Sequence, residues 1–191
     1  MKKLLLLVLV SVIVMTSTAL YAAEKAPLGF GNLAVKLDYI NFTDDVLKDT
    51  DVDQGLIVAI EGYGQVVPNL YLGMEVGYAN PDGNVLGIDT ELTFVPIELN
   101  LKYAIPASPN LVFDLGAGAS YSYVEEEASL FGVTSRADDW LFGGQVFADM
   151  NYTSGMFFIG INGKYQITED IEGGNYSYNN WRVGGQVGVM F

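Results

Sequence analysis

The sequence predicts an all-β fold, an eight-stranded antiparallel up-and-down transmembrane β-barrel behind a cleaved signal peptide. Three observations predict it. Apolar residues alternate with polar or small ones in eight separate stretches. Short and long connections join those stretches in turn. Half of the 191 residues are apolar, yet beyond the N-terminal stretch no apolar run approaches the roughly 20 residues of a membrane-spanning helix.

The chain begins with basic Met1-Lys2-Lys3. Leu4 to Met15 is apolar apart from Ser11, and small or polar residues follow as far as Ala22-Ala23. This order is that of a secretory signal peptide. The expected division is a signal peptide over 1–22, cleaved after Ala22 or Ala23, and a barrel domain over 23–191. Beyond the cleavage site, seven basic residues face 23 acidic ones. That balance repels nucleic-acid phosphates, so no nucleic-acid partner is expected. The chain has no Cys and no His. It therefore lacks disulfides, thiolate chemistry, the commonest general base and the commonest metal ligand.

The eight stretches follow in order. Residues 29–42 place Leu33, Val35, Leu37 and Tyr39 against Asn32, Ala34, Lys36 and Asp38. Residues 55–67 place Leu56, Val58 and Ile60 against Ala59, Glu61 and Tyr63. Residues 70–79 set Leu72, Met74 and Val76 against Tyr71, Glu75 and Gly77. Residues 90–103 set Val95, Ile97, Leu99 and Leu101 against Pro96, Glu98, Asn100 and Lys102. Residues 111–123 oppose Phe113, Leu115 and Ala117 to Asp114, Gly116 and Gly118. Residues 140–152 oppose Phe142, Val146 and Met150 to Gly143, Gln145 and Asp149. Residues 156–167 oppose Phe157, Ile159 and Ile161 to Gly160, Asn162 and Lys164. Residues 181–191 oppose Val183, Val187 and Val189 to Arg182, Gly184 and Gln186. The short connections are Pro68-Asn69, Ala104 to Asn110, and Thr153 to Gly155. The long polar ones are Thr43 to Gln54, Asn80 to Asp89, Val124 to Asp139, and Thr168 to Asn180.

Short turns on one rim and long loops on the other is the layout of an outer-membrane barrel. Eight strands leave an interior just wide enough for side chains. Gly, Ser, Asn, Gln and charges suit that bore, and the continuous bulky aliphatic face suits lipid. Aromatic residues fall at the ends of the aliphatic face. Tyr39, Tyr78, Tyr121, Trp140, Tyr165 and Trp181 lie toward the long loops, and Tyr103, Tyr152, Phe157 and Phe191 toward the short turns. Two such belts mark the two membrane interfaces.

The last strand ends on Phe191, with Val183, Val187 and Val189 at alternate positions before it. This resembles the C-terminal signature of outer-membrane barrels; Gly185 departs from the usual apolar residue at its position. The resemblance implies reading by the barrel-assembly machinery during insertion. The mature chain resembles the small eight-stranded group that includes OmpA transmembrane domains, OmpX/Ail-like and OmpW-like proteins. Thr93 to Tyr103 and Leu115 to Ala119 resemble that group's fourth and fifth strands. The resemblance implies residence in the outer membrane of a Gram-negative cell, among lipid and lipopolysaccharide. It leaves activity open, because the group includes pores, adhesins and structural barrels.

No enzyme, cofactor or metal site is expected. Barrel hydrolases resembling this fold rely on a His, which is missing here. Asp44-Asp45 and Asp49 to Asp53 lack the Gly and terminal Glu of a calcium loop. The acidic clusters Glu125-Glu126-Glu127 and Asp138-Asp139 read as solvated faces, with divalent ions bridging such loops to lipopolysaccharide phosphates as a looser expectation.

The bore is more specific. The alternation turns Asp38, Glu61, Glu75, Glu98, Asp114 and Asp149 inward, together with Lys36, Lys102, Lys164 and Arg182. With Val66 opposite Leu70 across the Pro68 turn, Glu61 lies directly opposite Glu75, so one of the two must be protonated or a cation must stand between them. Lys36 is the first candidate, then Arg182 and Lys164, while Lys102 lies diagonal to Asp114. The expected arrangement is a charge-paired plug, as in the OmpA-type barrels it resembles. The expected role is a structural or surface-interaction barrel, active as a monomer. Alternatives are a narrow pore or small-solute conduit, porin-like or OmpW-like, and an adhesin carrying Leu130-Phe131, Tyr176 and Tyr178 on its loops.

Overall fold

The computed structural model describes residues 26–85, 88–130, 133–171 and 176–191. The expected signal peptide over 1–22 lies outside the described residues, and so do Phe131 and the side chain of Leu130. The described elements are β1 Gly31–Phe42, α1 Asp45–Asp49, β2 Gln54–Val67, β3 Leu70–Ala79, β4 Asp82–Val85, β5 Ile88–Ser108, β6 Leu111–Leu130, β7 Val133–Ser154, β8 Phe157–Thr168 and β9 Asn180–Met190.

All pairings between the described strands are antiparallel. The order runs β3-β2-β1-β9-β8-β7-β6-β5, and a β3–β5 pairing closes the ring. β4 pairs with β5 and carries on the stave that β3 begins. The interruption falls at Asn80-Pro81. Proline has no N–H to offer a ladder, and the Pro81 carbonyl accepts the Leu92 N–H at 2.9 Å. Nine strands thus form eight staves, matching the eight periodic stretches. Both ends of the barrel chain meet at the short-turn rim, where Gly31 and Phe191 exchange two backbone hydrogen bonds of 3.0 and 2.9 Å.

The turns use residues that tolerate the left-handed region. Pro68 at the first central position is followed by Asn69 with φ 65°, and Val67, rather than the expected Val66, pairs with Leu70 across them, with a bulge between Gln65 and Val67. Gly155, φ 62°, opens the turn between Ser154 and Phe157.

Strand bounds differ from the sequence reading in three places. The segment 124–139 is no loop: β6 and β7 remain paired rung by rung from Val124–Asp139 to Leu130–Val133. The segment 80–89 contains β4 and the start of β5. β5 also runs on through Ser108, leaving Pro109-Asn110 as the turn. Alternation reports lipid on one face. Beyond the hydrocarbon both faces meet water, and the pattern fades while the ladder continues.

The two faces separate cleanly. Leu33, Val35 and Leu37 of β1 point outward, as do Leu56, Val58 and Ile60 of β2 and Val183 and Val187 of β9, all around half exposed or more. Backbone groups are paired around the whole ring, the condition for strands to cross a bilayer. At the long-loop rim Tyr39 lies 5.5 Å from Trp181, and Tyr121 lies 4.7 Å from Trp140 and 4.5 Å from Phe142, measured between ring centroids. Tyr103, Tyr152, Phe157 and Phe191 project outward near the other rim.

The core lies inside the bore in three tiers. Toward the long loops, Ile40, Phe42, Leu47, Val52, Ile57, Ala79, Leu92, Phe94, Val124, Leu141 and Tyr178 form one apolar cluster. Toward the short turns, Leu28, Tyr63, Tyr71, Ala104, Val112 and Phe147 form another. Leu28 reaches the second from the segment before β1. The Tyr71 hydroxyl holds it there, accepting from Leu28 N at 3.2 Å and donating to Gly29 O at 2.9 Å. Small residues make room for the large ones: a Cβ on Gly116 would overlap the Phe147 ring. Between the two clusters the bore is charged.

Candidate functional site: the barrel lumen

The charged tier follows from the register. Glu61 of β2 stands opposite Glu75 of β3, and Glu75 opposite Glu98 of β5. Three carboxylates therefore stand side by side on one wall. On the far wall Lys164 of β8 stands opposite Arg182 of β9. Neighbours along the sheet repel, and the attraction runs across the bore. An eight-stranded wall is curved tightly enough for long side chains to meet over that distance.

Lys36 Nζ donates to Glu61 Oε2 at 2.9 Å and Glu75 Oε2 at 3.2 Å. Lys164 Nζ donates to Glu75 Oε1 at 2.7 Å and also to Glu98 Oε2. Arg182 Nη1 donates to Glu98 Oε1 at 3.0 Å and lies 3.8 Å from Glu75 Oε1. Its Nε donates to Asn180 Oδ1 at 3.0 Å and its Nη2 to Gln166 Oε1. The Phe94 ring covers the guanidinium, its centroid 5.7 Å from Cζ. All six charged residues are at most 5% exposed. Charges so deeply buried are tolerable when each is paired and hydrogen-bonded.

The remaining charges divide between the two ends of this tier. Asp38 accepts from Asn162 Nδ2 at 2.9 Å. Toward the short turns, Asp114 Oδ2 accepts from Asn151 Nδ2 at 2.8 Å. Lys102 Nζ lies 3.7 Å from Glu61 Oε1 and 3.8 Å from Asp114 Oδ2. It rests over the Tyr63 ring at 3.8 Å from the centroid. Asp149 is buried, and neither of its carboxylate oxygens accepts a hydrogen bond. All ten charged residues named from the sequence thus lie inside the bore, and Asp149 alone among them has no direct ion pair or hydrogen bond.

Sequence reasoning missed the amide relay around these charges. Gln145 Nε2 donates to Asn100 Oδ1 at 2.7 Å, and Asn100 Nδ2 donates to Glu98 Oε2 at 3.3 Å. Gln166 Nε2 donates to Ser120 Oγ at 2.8 Å. It also missed the apolar caps. A signal was present: Ile40, Phe42, Ile57, Leu92, Phe94, Val124 and Leu141 hold the inward phase of their strands, set by Lys36, Glu61, Glu98, Asp114 and Asp149.

The long-loop cap is fastened by polar contacts. Asp44 Oδ1 caps α1 by accepting from Val46 N at 3.1 Å, and Oδ2 accepts from Ser177 N at 3.0 Å. Thr43 N donates to Asn179 O at 2.8 Å. The Tyr178 hydroxyl donates to Glu126 Oε1 at 2.5 Å, and the Tyr176 hydroxyl to Glu126 Oε2 at 3.0 Å. Burial pushes the Tyr176 hydroxyl up to about 12, with the Glu126 carboxylate adding to the shift. Burial and the Glu126 hydrogen bond raise Tyr178 further. These two tyrosines are therefore not sticky exposed positions: Tyr178 is fully buried against Phe42 and Phe94, and Tyr176 is half-buried. The chain before β9 folds back over the bore, and burying their rings stabilises that path.

Comparison with solved structures gives the same architecture. The surface protein NspA of Neisseria superposes with a TM-score of 0.61 at 12% identity, covering 85% of this chain and 98% of that chain. The attachment invasion locus protein Ail of Yersinia pestis, solved in complex with the heparin analogue sucrose octasulfate, gives 0.53 at 10% identity, covering 83% and 97%. At such identities the likeness is one of fold. No curated protein matches in sequence. The sequence model of the outer membrane protein beta-barrel domain matches residues 4–191, so the chain belongs to that family and is a protein of the bacterial outer membrane.

Proposed function

We propose that this barrel is a non-conducting anchor whose outer loops, rather than its bore, meet other molecules. One observation carries this reading. The ion-paired tier of Lys36, Lys164 and Arg182 with Glu61, Glu75 and Glu98 spans the bore, and an apolar cluster closes it on each side. An ion crossing it would have to leave water twice and separate paired charges between, and breaking a buried pair costs about 3–5 kcal/mol.

The outer segments suit contact with cationic groups. Segments 43–54, 80–91, 124–139 and 168–180 hold sixteen of the 23 acidic residues and only two basic ones, Lys48 and Arg136. A polysulfate like the one bound to Ail would be repelled there. Divalent ions bridging these carboxylates to lipopolysaccharide phosphates fit better. Without His or Cys the chain has no ready nucleophile–base pair, and we assign it no catalysis. Val183, Val187, Val189 and Phe191 are the residues we assign to recognition by the barrel-assembly machinery, and we take the barrel to act as a monomer.

Planar-bilayer recording tests the closed bore. Purified wild-type protein is expected to insert without steady channels. Steady wild-type conductance would overturn the proposal in favour of a narrow pore, and conductance unchanged in Glu61→Gln would show that the charged tier does not gate it.

A further inference from the structure

The charges of the bore do not balance evenly. Six buried carboxylates, Asp38, Glu61, Glu75, Glu98, Asp114 and Asp149, face four cations, Lys36, Lys102, Lys164 and Arg182. Lys36, Lys164 and Arg182 pair with Glu61, Glu75 and Glu98, Lys102 lies 3.7 Å from Glu61 and 3.8 Å from Asp114, and Asp149 has no ion pair or hydrogen bond. Two negative charges are left over, and they are deeply buried.

Several oxygens of this set are unpartnered. Asp114 of β6, Asp149 of β7 and Asn162 of β8 stand in one ladder row, each opposite the next. They are 0%, 3% and 4% exposed. Asp114 Oδ1, both Asp149 oxygens and Asn162 Oδ1 have no hydrogen-bond partner. The other atom of each neighbour is already committed: Asp114 Oδ2 to Asn151, and Asn162 Nδ2 to Asp38. Four unpartnered acceptors in one row, in a bore with two more carboxylates than cations, suit a cation. Water would satisfy the hydrogen bonds and leave the charge.

We propose that the row Asp114–Asp149–Asn162 binds one Ca²⁺ inside the bore. Carboxylate and amide oxygens are the ligands that hard cation takes, six to eight in number in a flexible geometry. Asp149 would bind through both oxygens, Asp114 and Asn162 through one each, and water would complete the shell. Among the described residues no three Asp, Glu, His or Cys side chains form a ready metal cage. This site instead combines two carboxylates with an amide, and the charge deficit favours a divalent ion over a monovalent one. The apolar clusters above and below seal it, so the ion enters as the barrel closes and exchanges slowly afterwards. The proposal does not depend on what the outer loops bind.

The test refolds the urea-unfolded mature chain into detergent micelles, with EDTA or with CaCl₂, and counts metal after desalting. One slowly exchanging Ca²⁺ per chain is expected in wild type and in the loop variant Glu125→Gln/Asp138→Asn. It should be absent from Asp149→Asn and from Asp114→Asn. Calcium present during refolding should raise the wild-type melting temperature and leave that of Asp149→Asn unmoved. Tb³⁺ refolded in place of Ca²⁺ should luminesce on excitation of the bore tyrosines Tyr63 and Tyr71. Failure of wild type to retain calcium overturns the site, as does equal retention by Asp149→Asn and Asp114→Asn. Loss of retention in the loop variant alone assigns the ion to the outer carboxylates and overturns it too. If one Asp variant fails to fold, the other decides.

Discussion

Lys164 is the cation whose removal tests the middle of the bore most directly, because its ammonium hydrogen-bonds both Glu75 and Glu98. Replacing it with Met leaves two neighbouring carboxylates with Arg182, and Glu75 also with Lys36. The expected cost is about 3–5 kcal/mol in urea unfolding from detergent micelles. Adding Glu98→Gln to Lys164→Met should recover a large part of that loss, since the second change removes the charge the first one stranded. Equal or greater destabilisation of the double variant would show that the pair is not an energetic unit. The inward direction of these side chains is legible from alternation, because a strand's two faces are tied to odd and even positions. The opposition of Glu61 and Glu75 is legible in outcome though not in cause: the turn pairs Val67 with Leu70, and a bulge between Gln65 and Val67 restores the register. The pairing of Lys164 with Glu75 is not legible. It joins residues 89 positions apart, and the distance between them depends on strand tilt and shear around the ring rather than on any local spacing.

At the scale of elements, the long-loop cap depends on Asp44, which caps α1 and also holds Ser177. Asp44→Ala should cost about 1–2 kcal/mol through the lost cap. Faster amide exchange is expected in 45–52 and 176–179, with the strands below unaffected; exchange that rises uniformly would contradict a local role. The tyrosine clasp has a definite pH dependence. Tyr176 and Tyr178 have raised values in the folded protein, so the folded state holds those protons more tightly than the unfolded one. Their contribution is complete below the ordinary tyrosine range near 10 and is lost as pH rises toward about 12 and beyond. Absorbance titration should show late-ionising tyrosines, and Glu126→Gln should bring Tyr176 down. The hairpin above Tyr123 and Trp140 was the least legible element. Its outward residues Glu125, Glu127, Arg136 and Asp138 are polar, and such a stretch reads as a loop even though every rung is paired. The cap was hidden for the opposite reason: its apolar residues share a face with charges, and a purely polar bore has no place for them.

For the whole molecule, the charge is as one-sided as the connections. The rim with Pro68, Asn69, Pro109, Asn110, Gly155 and Met156 carries no charge at its turns, and the opposite end carries sixteen acids. The native chain has no cysteine, so single introduced thiols report orientation cleanly. A membrane-impermeant maleimide should label Ser129→Cys on intact cells and Ser154→Cys only after the outer membrane is permeabilised. The reverse pattern would invert the barrel. The charged tier also bears on descent. Glu61, Glu75 and Glu98 come from the first half of the chain, and Lys164 and Arg182 from its last two strands. Hairpins of such a barrel are therefore not interchangeable parts. A gene spliced from two related barrels would inherit the glutamates of one parent and the cations of the other. A splice that carries both sides of the match strands no buried charge, and one that splits them carries the cost of an unpaired carboxylate in the bore.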